Sequence, residues 1–363
     1  MQDPAKHEQQ PLRPVDPGLV VQRPAPAPQP RDLGVPALVG GQRDPEEGRA
    51  EREGEHRGKR RPRDWGPPVK HVDRPTALLA LVAFLIALGA QILTFGLSLT
   101  PDRYVLVLLA PAVVLGAGRR LMLDFVPFVL LIVFYEECRG IAHLLRPDPY
   151  YLPQLDAEKL LFGGSVPSNV LQDWLWTGTL QWYDQGLSAL TRIHFIVPPT
   201  LAFILWLKRR ALFYRFAATM LALSYAGALT FALFPAAPPW KAADWEHHLI
   251  PALANPQGVQ TAQSPLPVDG GPLYHLVDGN PYAAVPSLHG GYSFLIFLFV
   301  ATLAWNTRWR WLAMLGILYP IAQSFAVVYT GNHYVVDLLI GLGYAAAALF
   351  GVRWLWRRYE LPE

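Results

Sequence analysis

Eight apolar runs follow one another from residue 76 to near the end of the chain, with charged residues gathered in the gaps between them. They cover roughly 76–98, 104–117, 121–141, 191–207, 211–234, 286–305, 311–330 and 334–354. Runs of about 20 apolar residues predict membrane-spanning helices, so the expected fold is all-α and integral to a membrane. The second run is short, at the length where a re-entrant segment is the usual alternative.

Charge placement favours keeping it. Lys/Arg clusters stand at Arg60-Arg61-Arg63, Arg119-Arg120, Lys208-Arg209-Arg210, Arg308/Arg310 and Arg353/Arg357/Arg358. With eight spans and a cytoplasmic N-terminus, every cluster falls on the cytoplasmic side, as the positive-inside rule expects. Dropping the second run puts the clusters on opposite sides. Eight spans with both termini inside is therefore the expectation, and six or seven are the alternatives. That orientation leaves segments 142–190 and 235–285 outside, both rich in Trp, Tyr and Pro. The first has the pattern of short helices lying on a membrane surface.

Residues 1–74 are different in kind. They hold 14 of the 31 Lys/Arg and 12 of the 28 Asp/Glu, with few aromatic or β-branched residues, one Trp and seven Val. Such a Pro/Arg-rich stretch has too little apolar surface to form a core and is expected to be a disordered cytoplasmic leader, with residues 75–363 as the catalytic domain. No apolar h-region lies near Met1, so it does not read as a signal peptide. The single cysteine, Cys138, rules out an intramolecular disulfide and a Cys-based metal site. A formal charge of +3 gives no case for nucleic acid. Ala/Leu/Arg/Pro-rich usage suggests a bacterial source, which makes the plasma membrane the expected location.

The candidate chemistry sits at the ends of spans, where polar side chains are costly and mark function. His289, in Pro286-Ser287-Leu288-His289, opens one apolar run, and His333 and Asp337 open the last. Equal lengths of 286–305 and 311–330 put both imidazoles at one depth near the outer surface. Four residues apart, His333 and Asp337 share a helical face, and a carboxylate there fixes the tautomer of an imidazole. Arg139 and Arg146 follow the third span on the same side, seven residues apart, and Arg is suited to bidentate phosphate binding. The helix start at Pro286-Ser287 adds free N–H groups that favour an anion. Taken together, these residues make a paired-imidazole phosphate site.

The pattern resembles the type 2 phosphatidic acid phosphatase superfamily, whose motifs are Lys/Arg-x6-Arg-Pro, Pro-Ser-x-His and a His-x3-Asp preceded by Ser-Arg. It is most similar to the branch containing inositol phosphorylceramide synthases. The residues that carry this are Phe234-Pro235-Ala236-Ala237-Pro238-Pro239-Trp240, Pro286 through Gly291, and Asn332 through Asp337, and the resemblance covers about 76–354. It implies that His333 is the nucleophile of a phosphohistidine intermediate, oriented by Asp337. His289 would protonate the leaving group and then activate the acceptor, with Arg139 and Arg146 holding the phosphate and Ser287 at the binding site. Neither metal nor cofactor is implied. Two departures stand out: Leu288 replaces the usual Gly, and Ala326-Val327 replace Ser-Arg. Arg192 or His194, at the outer start of the fourth span, is the candidate to supply the missing charge.

The function expected is an integral-membrane phosphotransferase. It would move a phosphate-bearing head group, phosphoinositol-like, from a phospholipid donor to a lipid hydroxyl acceptor. Ceramide is the eukaryotic acceptor of that branch; diacylglycerol, a polyprenol or a glycolipid are the bacterial options. The alternatives are a lipid phosphate or polyprenyl pyrophosphate phosphatase and, from another class, a catalytically silent lipid-binding scaffold.

Overall fold

The computed structural model describes residues 67–69, 72–95, 101–193, 196–243, 248–253 and 280–361. The expected leader falls almost wholly outside these residues, as do His194, Trp245, His247 and His275. The regular structure among the described residues is helical, apart from isolated backbone bridges, with turns and irregular segments between the helices. In chain order the helices are α1 (Arg74–Phe95), α2 (Pro101–Val114), α3 (Gly118–Ile141), α4 (Leu152–Leu161), α5 (Pro167–Leu175), α6 (Trp182–Ile193) and α7 (Val197–Lys208). They continue with α8 (Arg210–Leu233), α9 (Pro239–Ala242), α10 (Leu288–Ala304), α11 (Arg310–Leu315), α12 (Leu318–Tyr329) and α13 (Val335–Arg358). A short 3-10 turn, Ala142–Leu145, follows α3.

The described residues of each of the eight apolar runs lie largely on helix. Among the described residues, four stretches are long and apolar enough alone to cross a membrane: Arg74–Phe95, Arg210–Leu233, Arg310–Tyr329 and Val335–Arg358. The bent pair α6–α7 adds a fifth if read as one span. The helices α2 and α10 are apolar but shorter, and α3 carries Asp124, Glu136 and Glu137 within its length. The protein is an all-α integral membrane protein. The side chains of α1 confirm the solvent it is built for, because Leu78, Leu85, Ile86 and Leu93 are each more than half exposed. A helix with such a surface belongs in hydrocarbon.

Helix α10 is the centre of the bundle and packs on α8, α12 and α13. Close approach to α13 depends on small residues, as is common between membrane helices. A Cβ added to Gly341 would lie 2.2 Å from the Ser287 carbonyl oxygen. The Ser287 N–H donates to the Asp337 carbonyl at 3.0 Å, so the first turns of α10 and α13 are tied together. Away from that end, a buried aromatic cluster joins α3, α7 and α8, with Phe125 stacked on Phe213 at 4.4 Å. Asp124 is buried beside it and accepts from Trp206 Nε1 at 2.7 Å, Arg210 Nε at 2.7 Å and Tyr214 Oη at 2.6 Å. Those donors offset the cost of removing the carboxylate from water.

Segment 142–193 forms three short helices beside the bundle. Their exposed faces carry Leu160, Leu161, Val170, Trp174 and Trp182, while Gln154, Glu158, Gln172 and Asp184 are buried. Polar groups pointing inward and apolar groups outward suit a layer against a membrane rather than water. The inward groups bond to the bundle: Gln172 Nε2 donates to the Tyr329 carbonyl at 2.7 Å, and Tyr329 Oη donates to Asp184.

Candidate active site

Helix α10 begins at a proper N-cap. The Ser287 hydroxyl accepts the Gly290 N–H at 3.3 Å, which positions His289 in the first turn with its ring toward α13. Ser287 is fully buried, so its hydroxyl serves the helix start and does not face the cavity described below. His333 stands just before Tyr334, the N-cap of α13, and its own N–H donates to the Val327 carbonyl at 3.3 Å.

The two imidazoles meet. His289 Nδ1 and His333 Nε2 are 3.0 Å apart. His333 Nδ1 lies 3.0 Å from the Ala284 carbonyl oxygen, which can only accept, so Nδ1 carries the proton. In neutral His333 the free electron pair is then on Nε2, the atom facing His289. Asp337 Oδ2 stands 3.6 Å from the same Nδ1 and accepts the Tyr334 N–H at 2.8 Å. The direct tautomer-fixing hydrogen bond thus comes from a carbonyl, with the carboxylate adding charge just beyond bonding distance.

A cavity of about 380 Å³ opens on His289. Its polar wall holds Glu136, Arg139, Thr191, Arg192 and Asn332, and its apolar wall includes Leu108, Phe125, Phe128 and Met220. Phe125 and Arg139 lie on one helix fourteen residues apart, about 21 Å along the axis. The cavity therefore runs from a polar end, where Arg192 and the Glu136–Arg139 pair stand, into the apolar bundle. His333 is 5% exposed and lies behind His289 rather than on the cavity wall.

Of the expected phosphate ligands, Arg139 and Arg192 line this cavity and Arg146 does not. The helix ends between Arg139 and Arg146, and the 3-10 turn and an extended residue follow, so the even spacing no longer places both on one face. Arg146 is exposed, stacks 4.7 Å over Tyr150 and donates to the Leu233 carbonyl at 3.3 Å. Glu136 accepts from Arg139 Nε at 2.8 Å, the local partnership its position suggests. His143 lies near Tyr282, with ring centroids 6.3 Å apart, and is not on the cavity wall.

Residues 175–351 match the PAP2 superfamily. That match covers 177 of the 363 residues, and over them the chain is similar to the PAP2 superfamily. A relative called phosphoinositol dihydroceramide synthase, from Bacteroides thetaiotaomicron, is 27% identical over 252 residues, which is 68% of this chain and 79% of the relative. No solved structure gives a significant match. With its membrane helices, this similarity and the synthase-named relative mark the chain as a membrane enzyme of lipid phosphate chemistry, a lipid phosphotransferase or a lipid phosphatase.

Within the matched residues, Ala326 and Val327 occupy the place of the Ser-Arg pair, and both are fully buried. Val327 packs with Val328, Leu338 and the half-buried Leu171. An apolar contact between α12, α13 and α5 stands where the resemblance leads one to expect a cation. Two groups near the histidines escaped the sequence reading. One is the Ala284 carbonyl, held by the Ala284 N–H donating to Ala236 at 3.2 Å and the Ala236 N–H donating to Tyr282 at 2.8 Å. Segment 235–240 is thus the prop behind His333, a role invisible in a list of side chains. The other is Glu158.

Proposed function

We propose that the protein transfers a phosphate-bearing head group, of the phosphoinositol type, from a donor phospholipid to a lipid hydroxyl through a phosphohistidine on His333. The observation that carries the reading is the 3.0 Å His289–His333 contact with the His333 proton held on Nδ1 by a carbonyl, beside a cavity with two arginines at its polar end and apolar walls beyond. Nucleophilic attack by His333 Nε2 on phosphorus forms the N–P bond as the bond to the leaving diacylglycerol oxygen breaks. Protonated His289 gives that oxygen its proton. The acceptor hydroxyl then attacks phosphorus, returns a proton to His289 and releases His333. Between the two steps the head group is held only by the enzyme.

For a phosphoryl group to reach Nε2, the His289 ring must turn away from His333, so donor binding replaces the imidazole–imidazole hydrogen bond with contacts to phosphate. Arg139 and Arg192 are the cations placed to compensate its charge. The name of the bacterial relative, phosphoinositol dihydroceramide synthase, supports a phosphoinositol donor and a long-chain acceptor. Hydrolysis, with water as acceptor, is the alternative. The apolar walls favour transfer because they keep water from the phosphoenzyme.

The site also has a side. Arg119-Arg120, Lys208-Arg209-Arg210, Arg308/Arg310 and Arg353/Arg357/Arg358 all lie at helix ends opposite to those bearing the site residues. By the positive-inside rule that end is cytoplasmic, and the histidines face the outer leaflet of a bacterial plasma membrane. The test uses purified wild type and His333→Ala with a head-group-labelled phosphoinositide and a panel of lipid alcohols. Label should move into a new lipid with wild type only. Release into water alone would make the enzyme a hydrolase, and transfer by the variant would remove His333 from the mechanism.

A further inference from the structure

The N-terminus of α13 is capped from far away in sequence. An α-helix leaves its first N–H groups without intrahelical partners, and a Ser, Thr, Asp or Asn at the N-cap ordinarily accepts one of them. Here the N-cap is Tyr334, which has no short acceptor to offer. Both carboxylate oxygens of Glu158, on α4, take its place: Oε1 accepts the Val335 N–H and Oε2 accepts the Val336 N–H, each at 3.0 Å. Glu158 is 0% exposed, and no basic side chain forms a salt bridge with it among the described residues. A buried carboxylate is costly, and its compensation here is two charge-assisted bonds and the positive end of the helix dipole.

This helix start is the one that carries the reacting histidine. His333 is two residues before Val335, and Asp337 accepts the Tyr334 N–H from within the same turn. Glu158 thus fixes two consecutive N–H groups of α13, Asp337 fixes the third, and the position of His333 Nε2 against His289 follows from that backbone. Glu158 lies outside residues 175–351, the part of the chain that matches the superfamily. The remaining buried residues of α4 serve the same attachment. Gln154 Nε2 donates to the Tyr150 and Ala237 carbonyls at 2.7 and 2.9 Å, and Leu155 packs against Tyr334 within one cluster.

We infer that Glu158 is a positioning residue for catalysis: a segment outside the matched domain clamps the first turn of the catalytic helix and holds His333 at bonding distance from His289. The inference rests on the reading of His333 as nucleophile. It does not make Glu158 a group that touches substrate. Misplacing a reacting group by about 1 Å costs on the order of 100-fold in rate. Replacing Glu158 should therefore lower kcat by roughly ten- to a hundredfold. Donor KM should change little, because Arg139 and Arg192 are on other helices.

The experiment compares the full-length wild type with Glu158→Gln and Glu158→Asp in the head-group transfer assay, with rates normalised to folded protein. The same samples are labelled with 15N-histidine, and the His333 signals are identified by their loss in His333→Ala. Expected for Glu158→Gln is a fall in kcat with donor KM within about twofold, and a His333 ring no longer held in a single Nδ1–H tautomer. Glu158→Asp keeps the charge but is one methylene short of spanning both N–H groups, and should fall between the two. A wild-type kcat per folded molecule, or a His333 spectrum unchanged in Glu158→Gln, would overturn the inference. If wild type shows no turnover that depends on His333, the proposed function fails instead, and the histidine spectrum still decides the role of Glu158.

Discussion

His333 Nε2 lies 3.0 Å from His289 Nδ1 while the opposite nitrogen of His333 is bound to the Ala284 carbonyl. Under the proposed mechanism, the Ala284 contact fixes which nitrogen attacks, and the His289 contact places a proton carrier beside it. His333→Ala removes the nucleophile and should abolish both transfer and hydrolysis. His289→Ala keeps the nucleophile and should lose about 10²- to 10⁴-fold in kcat, the usual weight of general acid–base catalysis. A donor with a better leaving group should recover much of the His289→Ala loss and none of the His333→Ala loss. Steady-state kinetics on both variants with the two donors checks this.

The arginines should separate. Arg139→Ala and Arg192→Ala each remove a cation from the cavity wall and should raise donor KM roughly ten- to a hundredfold, the range of one hydrogen bond to a charged group. Arg146→Ala, which loses contacts to Tyr150 and the Leu233 carbonyl, should leave KM within about threefold. Equal losses at Arg139 and Arg146 would favour the spacing argument over the geometry.

Gly341→Ala tests the contact between the two catalytic helices. A Cβ there meets backbone, the Ser287 carbonyl carbon and oxygen at 3.2 and 2.2 Å, so α10 and α13 must move apart. Overpacking of this kind costs about 1–3 kcal/mol. Thermal denaturation should show the loss in stability, and activity should fall further than stability because His289 and His333 ride on the two helices.

Glu158 also predicts a pH dependence of stability. Burial raises its carboxyl above the ordinary value of 4.5, the neighbouring Asp337 adds to the rise, and the two backbone N–H groups oppose it. With the folded value above the unfolded one, its contribution to stability is fully present below the unfolded pKa and is lost as pH rises through the folded value. Between those two points wild type should lose stability relative to Glu158→Gln as pH increases. Denaturant melts of both proteins from pH 4 to pH 7 would show it, and parallel curves would contradict it.

Much of the fold was legible because spans are long and their signal is local. The described residues of the eight apolar runs lie largely on helices, and the motifs Pro286–His289 and His333–Asp337 meet as their positions at helix starts implied. By length and composition, four of the described helical stretches qualify as spans on their own, because α2 and α10 are short and α3 carries acidic residues. Arg146 was misplaced by the spacing argument because a seven-residue interval implies one face only while the helix continues, and α3 ends at Ile141. The prop on His333 and the cap on α13 were illegible for a different reason. Ala284 acts through its backbone carbonyl, which no side-chain pattern records, and Glu158 meets Val335 across 177 residues.

The most direct test of the central claim is to look for the covalent intermediate. Wild type, His333→Ala and His289→Ala would be mixed with a donor lipid labelled in the transferred phosphate, quenched in alkali, where phosphohistidine survives, and digested for peptide mapping. The account predicts label on the peptide containing His333 in wild type, none in His333→Ala, and discharge of the labelled wild type on adding an acceptor lipid alcohol. Label on another residue, or full turnover with no His333-dependent adduct under single-turnover conditions, would contradict it.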